Sequence, residues 1–168
     1  MNKLYTETFY FSDNGHIPNN SLPLVLYRRS LEGRIDSCIK LFKQNKWSNS
    51  WENGVFPYHH YHSNTHEVLG VISGSASITF GGENGESVKV EKGDVVVIPA
   101  GVGHKKEQSS ADFKVVGAYP NGMSHDLKTG EAEERPEVIE NIQNVPLPST
   151  DPLQGQNGHL VVLWSDLN

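Results

Sequence analysis

Residues 59–67 read HHYHSNTHE, which places four of the chain's eight histidines and a glutamate within nine positions. Neutral imidazoles and carboxylates hold divalent transition metals, and they are also common general acids and bases. Spacing narrows the choice. If the chain approaching Ser63 is extended, His60 and His62 share one face while His59 and Tyr61 share the other. Two imidazoles on one face, two residues apart, can hold one ion through ring nitrogens. Glu67 has the wrong parity for that face, so residues 63–65, which are suitable turn formers, must bend to bring it round. His66 has the parity of His62 and is the choice a purely extended chain would make. A further imidazole is available in PAGVGH, where His104 follows a Pro–Gly turn.

The surrounding side chains carry plainer alternatives. Tyr58, Tyr61, Trp51 and Phe80 are candidates for lining a pocket, although aromatics in strands more often pack a core or a sheet face. His59 and His66 are candidates for supporting a ligand by hydrogen bonding, and Gln108 for reaching the same pocket. Lys105 and Lys106 read as solvated cations, with an anion-attracting rim as the sharper alternative. His16, His125 and His159 sit in loop-like or terminal contexts and are assigned no role.

The elements that would position these residues are mostly strands. Residues 4–11 and 22–27 are short, aromatic and β-branched, separated by turn formers. Between 30 and 47 the pattern changes: Leu31, Ile35, Cys38 and Phe42 recur at helical spacing, with Ser30 as a plausible N-cap. From Val68 onward short strands follow one another. Ala76, Ile78 and Phe80 alternate with Ser77 and Thr79, the Asn84–Gly85 pair suits a tight hairpin turn, and residues 95–98 read as a fully buried strand. Residues 113–119 add another. Gly74, Gly93 and Gly101 fall at turns, the last freeing the backbone to swing His104 inward. Such a run of short strands indicates a sandwich or barrel. Beyond Tyr119 the chain turns proline-rich. Pro136 can open a helix with Val138, Ile139 and Ile142 on its apolar side, and residues 160–164 read as a final strand packed back on the fold.

Composition sets outer limits. At 168 residues the chain fits one domain spanning 1–168, with a core at about 52–119 and an extension over 120–168. A formal charge of −6 argues against a nucleic-acid backbone as partner. No run approaches the roughly 20 apolar residues of a membrane span. The single cysteine, Cys38, excludes an intrachain disulfide framework and makes a reducing, cytoplasmic setting the expectation; on the apolar helix face it reads as a small buried hydrophobe.

The residues now match a family pattern. Gly54, His60, His62, Glu67 and Gly74 fit the first motif of the cupins, G-x5-H-x-H-x4-E-x6-G. Gly93, Pro99, Gly101 and His104 fit the second, G-x5-P-x-G-x2-H-x3-N, and only Gln108 departs, standing where the motif has Asn. The chain therefore resembles a single-barrel cupin. Through NSWENGVFPYHHYHSNTHEVLGV and VPLPSTDP it looks most like the YjlB-type bacterial proteins. The resemblance implies an all-β jelly-roll (double-stranded β-helix) barrel with one helix in the N-terminal half and a proline-rich C-terminal extension packed on the barrel. It implies His60, His62, Glu67 and His104 as metal ligands; Gln108 does not stand at a ligand position.

Three imidazoles and a carboxylate without thiolate suit one divalent Fe, Mn, Ni, Co or Zn per chain. Open coordination positions would make the site catalytic, and a metalloenzyme acting on a small polar metabolite, of oxygenase or isomerase type, is the leading expectation. A metal-dependent binding module without turnover is the alternative. No catalytic residue is identified. A small-molecule ligand is expected, and so is a homodimer in which residues 4–11 or 22–27 border the interface, because the added strands leave edges to cover.

Overall fold

The computed structural model describes residues 5–167. Among the described residues nine strands form two antiparallel sheets. β1 (Tyr5–Phe11), β2 (Asn20–Arg28), β3 (Trp47–Asn53), β4 (Glu67–Ser73), β7 (Val95–Ile98) and β9 (Lys114–Pro120) make a six-stranded sheet in the order β1-β2-β7-β4-β9-β3. β5 (Ser75–Phe80), β6 (Glu86–Glu91) and β8 (His104–Ser109) make a three-stranded sheet in the order β6-β5-β8. Strand alternation explains why they stack. In β7, Val96 and Ile98 join Leu69, Val71, Ile78, Phe80 and Val90 in the core between the sheets. Val95 and Val97 point the other way, into a second core with Tyr27, Val68, Phe42 and Trp164.

This arrangement corrects the expected jelly-roll barrel. Neither sheet closes on itself: β1 and β3 end the larger one, β6 and β8 the smaller, so the molecule is an open sandwich with helices on its outer face. Part of the reason lies in β2, which pairs β7 on one side and β1 on the other and so extends the large sheet sideways.

Helices α1 (Cys38–Gln44) and α3 (His159–Ser165) cover the outer face, and α2 (Glu137–Asn144) packs at one end. Expected as one helix, residues 30–47 instead hold turns, a 3-10 turn at Ile35–Ser37 and the shorter α1, which still buries Leu31, Cys38 and Phe42. Cys38 is free and its thiol is pushed up to about 12 by burial, then by the Glu52 charge. Residues 160–164, expected as a strand, are helical: Leu160 and Trp164 are buried four positions apart, while Val162 is 51% exposed. β3 was not anticipated, its sequence WSNSWEN being mostly polar. At the β5–β6 hairpin the positive backbone angles fall on Gly81 (φ 90°) and Gly82 (φ 89°), not on Asn84–Gly85, so the loop between the strands takes its bend at its start. Leu4 lies outside the described residues, so that end of the first expected strand carries no description. Among the described residues no helix is long and apolar enough to cross a membrane.

Candidate metal centre

The segment before β4 is extended where the parity argument needs it. His60 pairs with His104 as an antiparallel bridge, and Tyr61 pairs with Lys128. His60 and His62 therefore face the same way. Tyr61, at opposite parity, is buried against Ile17 and Val138, and its hydroxyl donates to Glu134.

The bend at residues 63–65 is held by one carboxylate. Asp126 accepts the Ser63 amide at 2.7 Å and the Ser63 hydroxyl, while its own amide donates to Asn64 Oδ1 at 3.0 Å. This bend decides between His66 and Glu67. It shifts the alternation so that Glu67 enters β4 on the face of Leu69 and Val71, toward the space between the sheets. His66 turns to the opposite face, where its ring lies 4.8 Å from that of Trp164 and its Nδ1 accepts the Ala100 amide. His66 borders a separate groove of about 830 Å³ that also runs along α2. It takes no part in the cluster.

One ligand atom each from His62, Glu67 and His104 lies within 4.8 Å of the others, and all three residues are buried. His62 Nε2 is 3.4 Å from Glu67 Oε2, and His104 Nε2 is 3.4 Å from Oε1. Those separations are loose for hydrogen bonds and natural for atoms that each sit about 2.1 Å from one ion. His60 is not one of the three. Its ring centroid is 4.0 Å from that of His104 and 6.1 Å from that of His62, which puts it beside the cluster.

The hydrogen bonds at the far side of each ring fix what it presents. Nδ1 of His60 bonds the Tyr58 carbonyl at 2.9 Å, Nδ1 of His62 the Asp126 carbonyl at 2.5 Å, and Nδ1 of His104 the Val102 carbonyl at 3.2 Å. A carbonyl oxygen only accepts, so each Nδ1 carries the proton and each neutral ring keeps its lone pair on Nε2. This is how metal-binding imidazoles are held. The donor set fits a divalent transition ion: nitrogens and a carboxylate, buried, with no thiolate.

Without an ion, charge is shared internally. Burial raises the Glu67 pKa, but the His62 charge and the close approach of the His104 and His62 rings outweigh it, and the carboxyl ends well below its usual range. Burial lowers that of His62, yet the Glu67 charge brings it above the ordinary value. His60 moves the other way, down to about 3, through burial and then its neighbour His104. With Nδ1 committed, a proton on His62 must occupy Nε2, the position a metal would take.

Tyr119 and His125, which sequence reasoning did not select, complete the site together with Trp51, one of the expected pocket-lining aromatics. Tyr119 donates to Glu67 Oε2 at 2.7 Å and accepts from Trp51 Nε1 at 2.8 Å. Burial, then the Glu67 charge, raises the Tyr119 pKa and keeps it a donor. Trp51 lies flat on Gly117, where an added Cβ would meet the indole at 2.3 Å. His125 stacks on Tyr119 at 4.8 Å and sets its edge on His62 at 4.7 Å. Together with Val55, Phe56, Leu69 and Lys106 these residues line a cavity of about 420 Å³ opening onto the cluster. Of the other candidates, Phe80 is buried core, and Gln108 is exposed opposite Ser77. Tyr58, 41% exposed, supplies its carbonyl to His60 and stacks on Phe56; His59 is half-buried with Nδ1 unpartnered.

Comparison with known proteins adds a lineage. The family model for the cupin domain matches residues 50–116. Uncharacterized protein YjlB of Bacillus subtilis (strain 168) is 49% identical over 160 residues, 95% of this chain and 96% of that protein. Uncharacterized protein SCO3923 of Streptomyces coelicolor is 46% identical over 50 residues, 30% of this chain and 45% of that one. Among solved structures, the WlaRB TDP-quinovose 3,4-ketoisomerase of Campylobacter jejuni is similar over 56% of this chain and 75% of its own, at 18% identity and a TM-score of 0.44. At that distance no reaction carries across.

Proposed function

The chain belongs to the cupin family, and from that premise we propose that it is a small metalloenzyme acting on a small polar metabolite, with one divalent transition metal per chain. The observation that carries the reading is the set of three imidazoles whose Nδ1 protons are all tied to backbone carbonyls. Each ring is thereby left with Nε2 as its free nitrogen, the atom for which a metal and a proton would compete on His62. His62, Glu67 and His104 would hold the ion, with His60 as the fourth ligand. When bound, the metal supplies Lewis acidity toward an oxygen of the substrate.

The chain's own residues do the rest. Tyr119 orients Glu67, and the Asp126 carbonyl orients His62. Phe56, Val55 and Leu69 give the cavity an apolar wall. His125 supports turnover over mere retention, because it places on the cavity wall a fourth imidazole, one that the ligand set does not use. Its pKa is lowered by burial and then by His62, so it is neutral at physiological pH and able to accept a proton. The single buried thiol, Cys38, accords with a reducing, cytoplasmic setting.

The test begins with elemental analysis of protein purified without added metal, where about one equivalent is expected. Less than about a tenth of an equivalent of every transition metal, persisting after reconstitution, rules the reading out. Metabolites that shift the melting temperature of metal-loaded protein should then be incubated aerobically, where a product establishes the enzyme. A ligand that needs metal, His62 and His104 but emerges unchanged assigns a binding module instead.

A further inference from the structure

One cation in the cavity has no counterion. β8 begins at His104, paired with Phe80, and Lys106 is paired with Ile78. Phe80 and Ile78 belong to the core between the sheets, and residues opposite each other on antiparallel strands share a face, so His104 and Lys106 both point inward. Lys106 accordingly lines the same cavity as His62, Glu67 and Tyr119. Its neighbour Lys105 faces outward and is paired with Glu107 at 3.5 Å. Among the described residues no ion pair engages Lys106. Glu52 also borders the cavity, but it stands at opposite parity to Trp51, and its charge bears on Cys38 across the sheet. Lys106 is half-buried as a residue, and with no carboxylate paired to it the ammonium is free to meet an anionic group of a ligand.

We propose that Lys106 is the anion-recognising residue of this site and that the ligand is a small monocarboxylic acid with an apolar body. The inference rests on the metal reading only for the second anchor of that molecule. Its carboxylate meets the Lys106 ammonium, and its apolar part lies against Phe56, Val55 and Leu69. A carboxylate fits better than a phosphate, which is doubly charged and needs several donors; the lining offers one ammonium and no arginine. Size agrees, since about 420 Å³ is within the range of small-molecule sites.

The experiment compares acids with their own primary amides, which keep the shape and remove the charge. Acetate, phenylacetate and phenylpyruvate, each beside its amide, are titrated calorimetrically into wild type, K106M, K106R and K105M, with metal content measured in every sample. Wild type should bind an aryl acid at least about tenfold tighter than its amide, the effect of one charge-assisted hydrogen bond. That preference should vanish in K106M, return in K106R and persist in K105M, with metal content equal throughout. Equal binding of acid and amide by wild type, no binding of any of the acids, or a preference that survives in K106M overturns the proposal. Should K106M not fold, the acid–amide comparison in wild type decides alone. Absence of metal from wild type would sink the metalloenzyme reading and leave the carboxylate preference to stand or fall by itself.

Discussion

His62 and His104 are held at Nδ1 by carbonyls and at Nε2 by nothing but each other's partner, Glu67. His104→Ala should therefore remove metal while leaving the melting temperature of the metal-free protein nearly unchanged, because the core lies in the strands; a variant that unfolds, or one that retains a full equivalent, contradicts this. Tyr119→Phe takes from Glu67 its hydroxyl donor and from Trp51 its acceptor. It should weaken metal binding about 10- to 100-fold in a competitive chelator titration. His66 makes a pH prediction for metal-free protein. Burial holds its pKa down to about 4 against an ordinary 6.5, and Nε2 lacks a well-formed bond although the Pro146 carbonyl is near. Between those values the unfolded chain binds the proton and the folded one does not, so the contribution is complete above 6.5 and is lost as pH falls toward 4. The loss should reach roughly 3 kcal/mol by pH 4 in urea unfolding and be absent from His66→Gln. His62, with a raised value, works in the opposite direction, which is why the variant must be compared with wild type at each pH. The sequence displayed His60, His62, Glu67 and His104 because their motif spacing is local. It could not display Asp126 or Tyr119, whose partners lie 63 and 52 positions away.

At the scale of elements, Asp151 organises the C-terminal extension. Its buried carboxylate accepts the Tyr27 hydroxyl at 2.5 Å and the amides of Leu153, Gln154 and Leu160 at 2.7, 3.0 and 3.0 Å. Asp151→Ala strands four donors and should cost about 3–5 kcal/mol in chemical unfolding, without altering metal stoichiometry. The Leu160 amide is among the first of α3, so a distant carboxylate satisfies that terminus. This explains why a strand was the natural sequence reading: HLVVLWS is short and apolar, its helical period rests on Leu160 and Trp164 alone, and the group that supports its start is not adjacent. β7, by contrast, was plain from VVVI, which is buried on both faces. β3 was hidden because its polar residues face solvent while Trp47 and Trp51 do the packing.

For the whole molecule, the edges of the large sheet bear on assembly. β2 is hydrogen-bonded to β1 and, through Val25, Leu26 and Tyr27, to β7, so of the two strands expected to border an interface β1 is the one with a free edge. β1 is an edge, with Tyr5 and Tyr10 65% and 60% exposed. A homodimer through β1 should give twice the chain mass in light scattering at micromolar concentration, and Tyr10→Lys should return it to a single chain. The bend that carries Glu67 inward also has a consequence for biosynthesis. His60, His62, Glu67 and His104 are all synthesised before the Asp126 carboxylate that sets this bend and the carbonyl that orients His62. A nascent chain halted at residue 120 carries all four of these side chains and lacks the residue that aims them. The bend, and with it the geometry of the cluster, is therefore set only after the chain has passed residue 126.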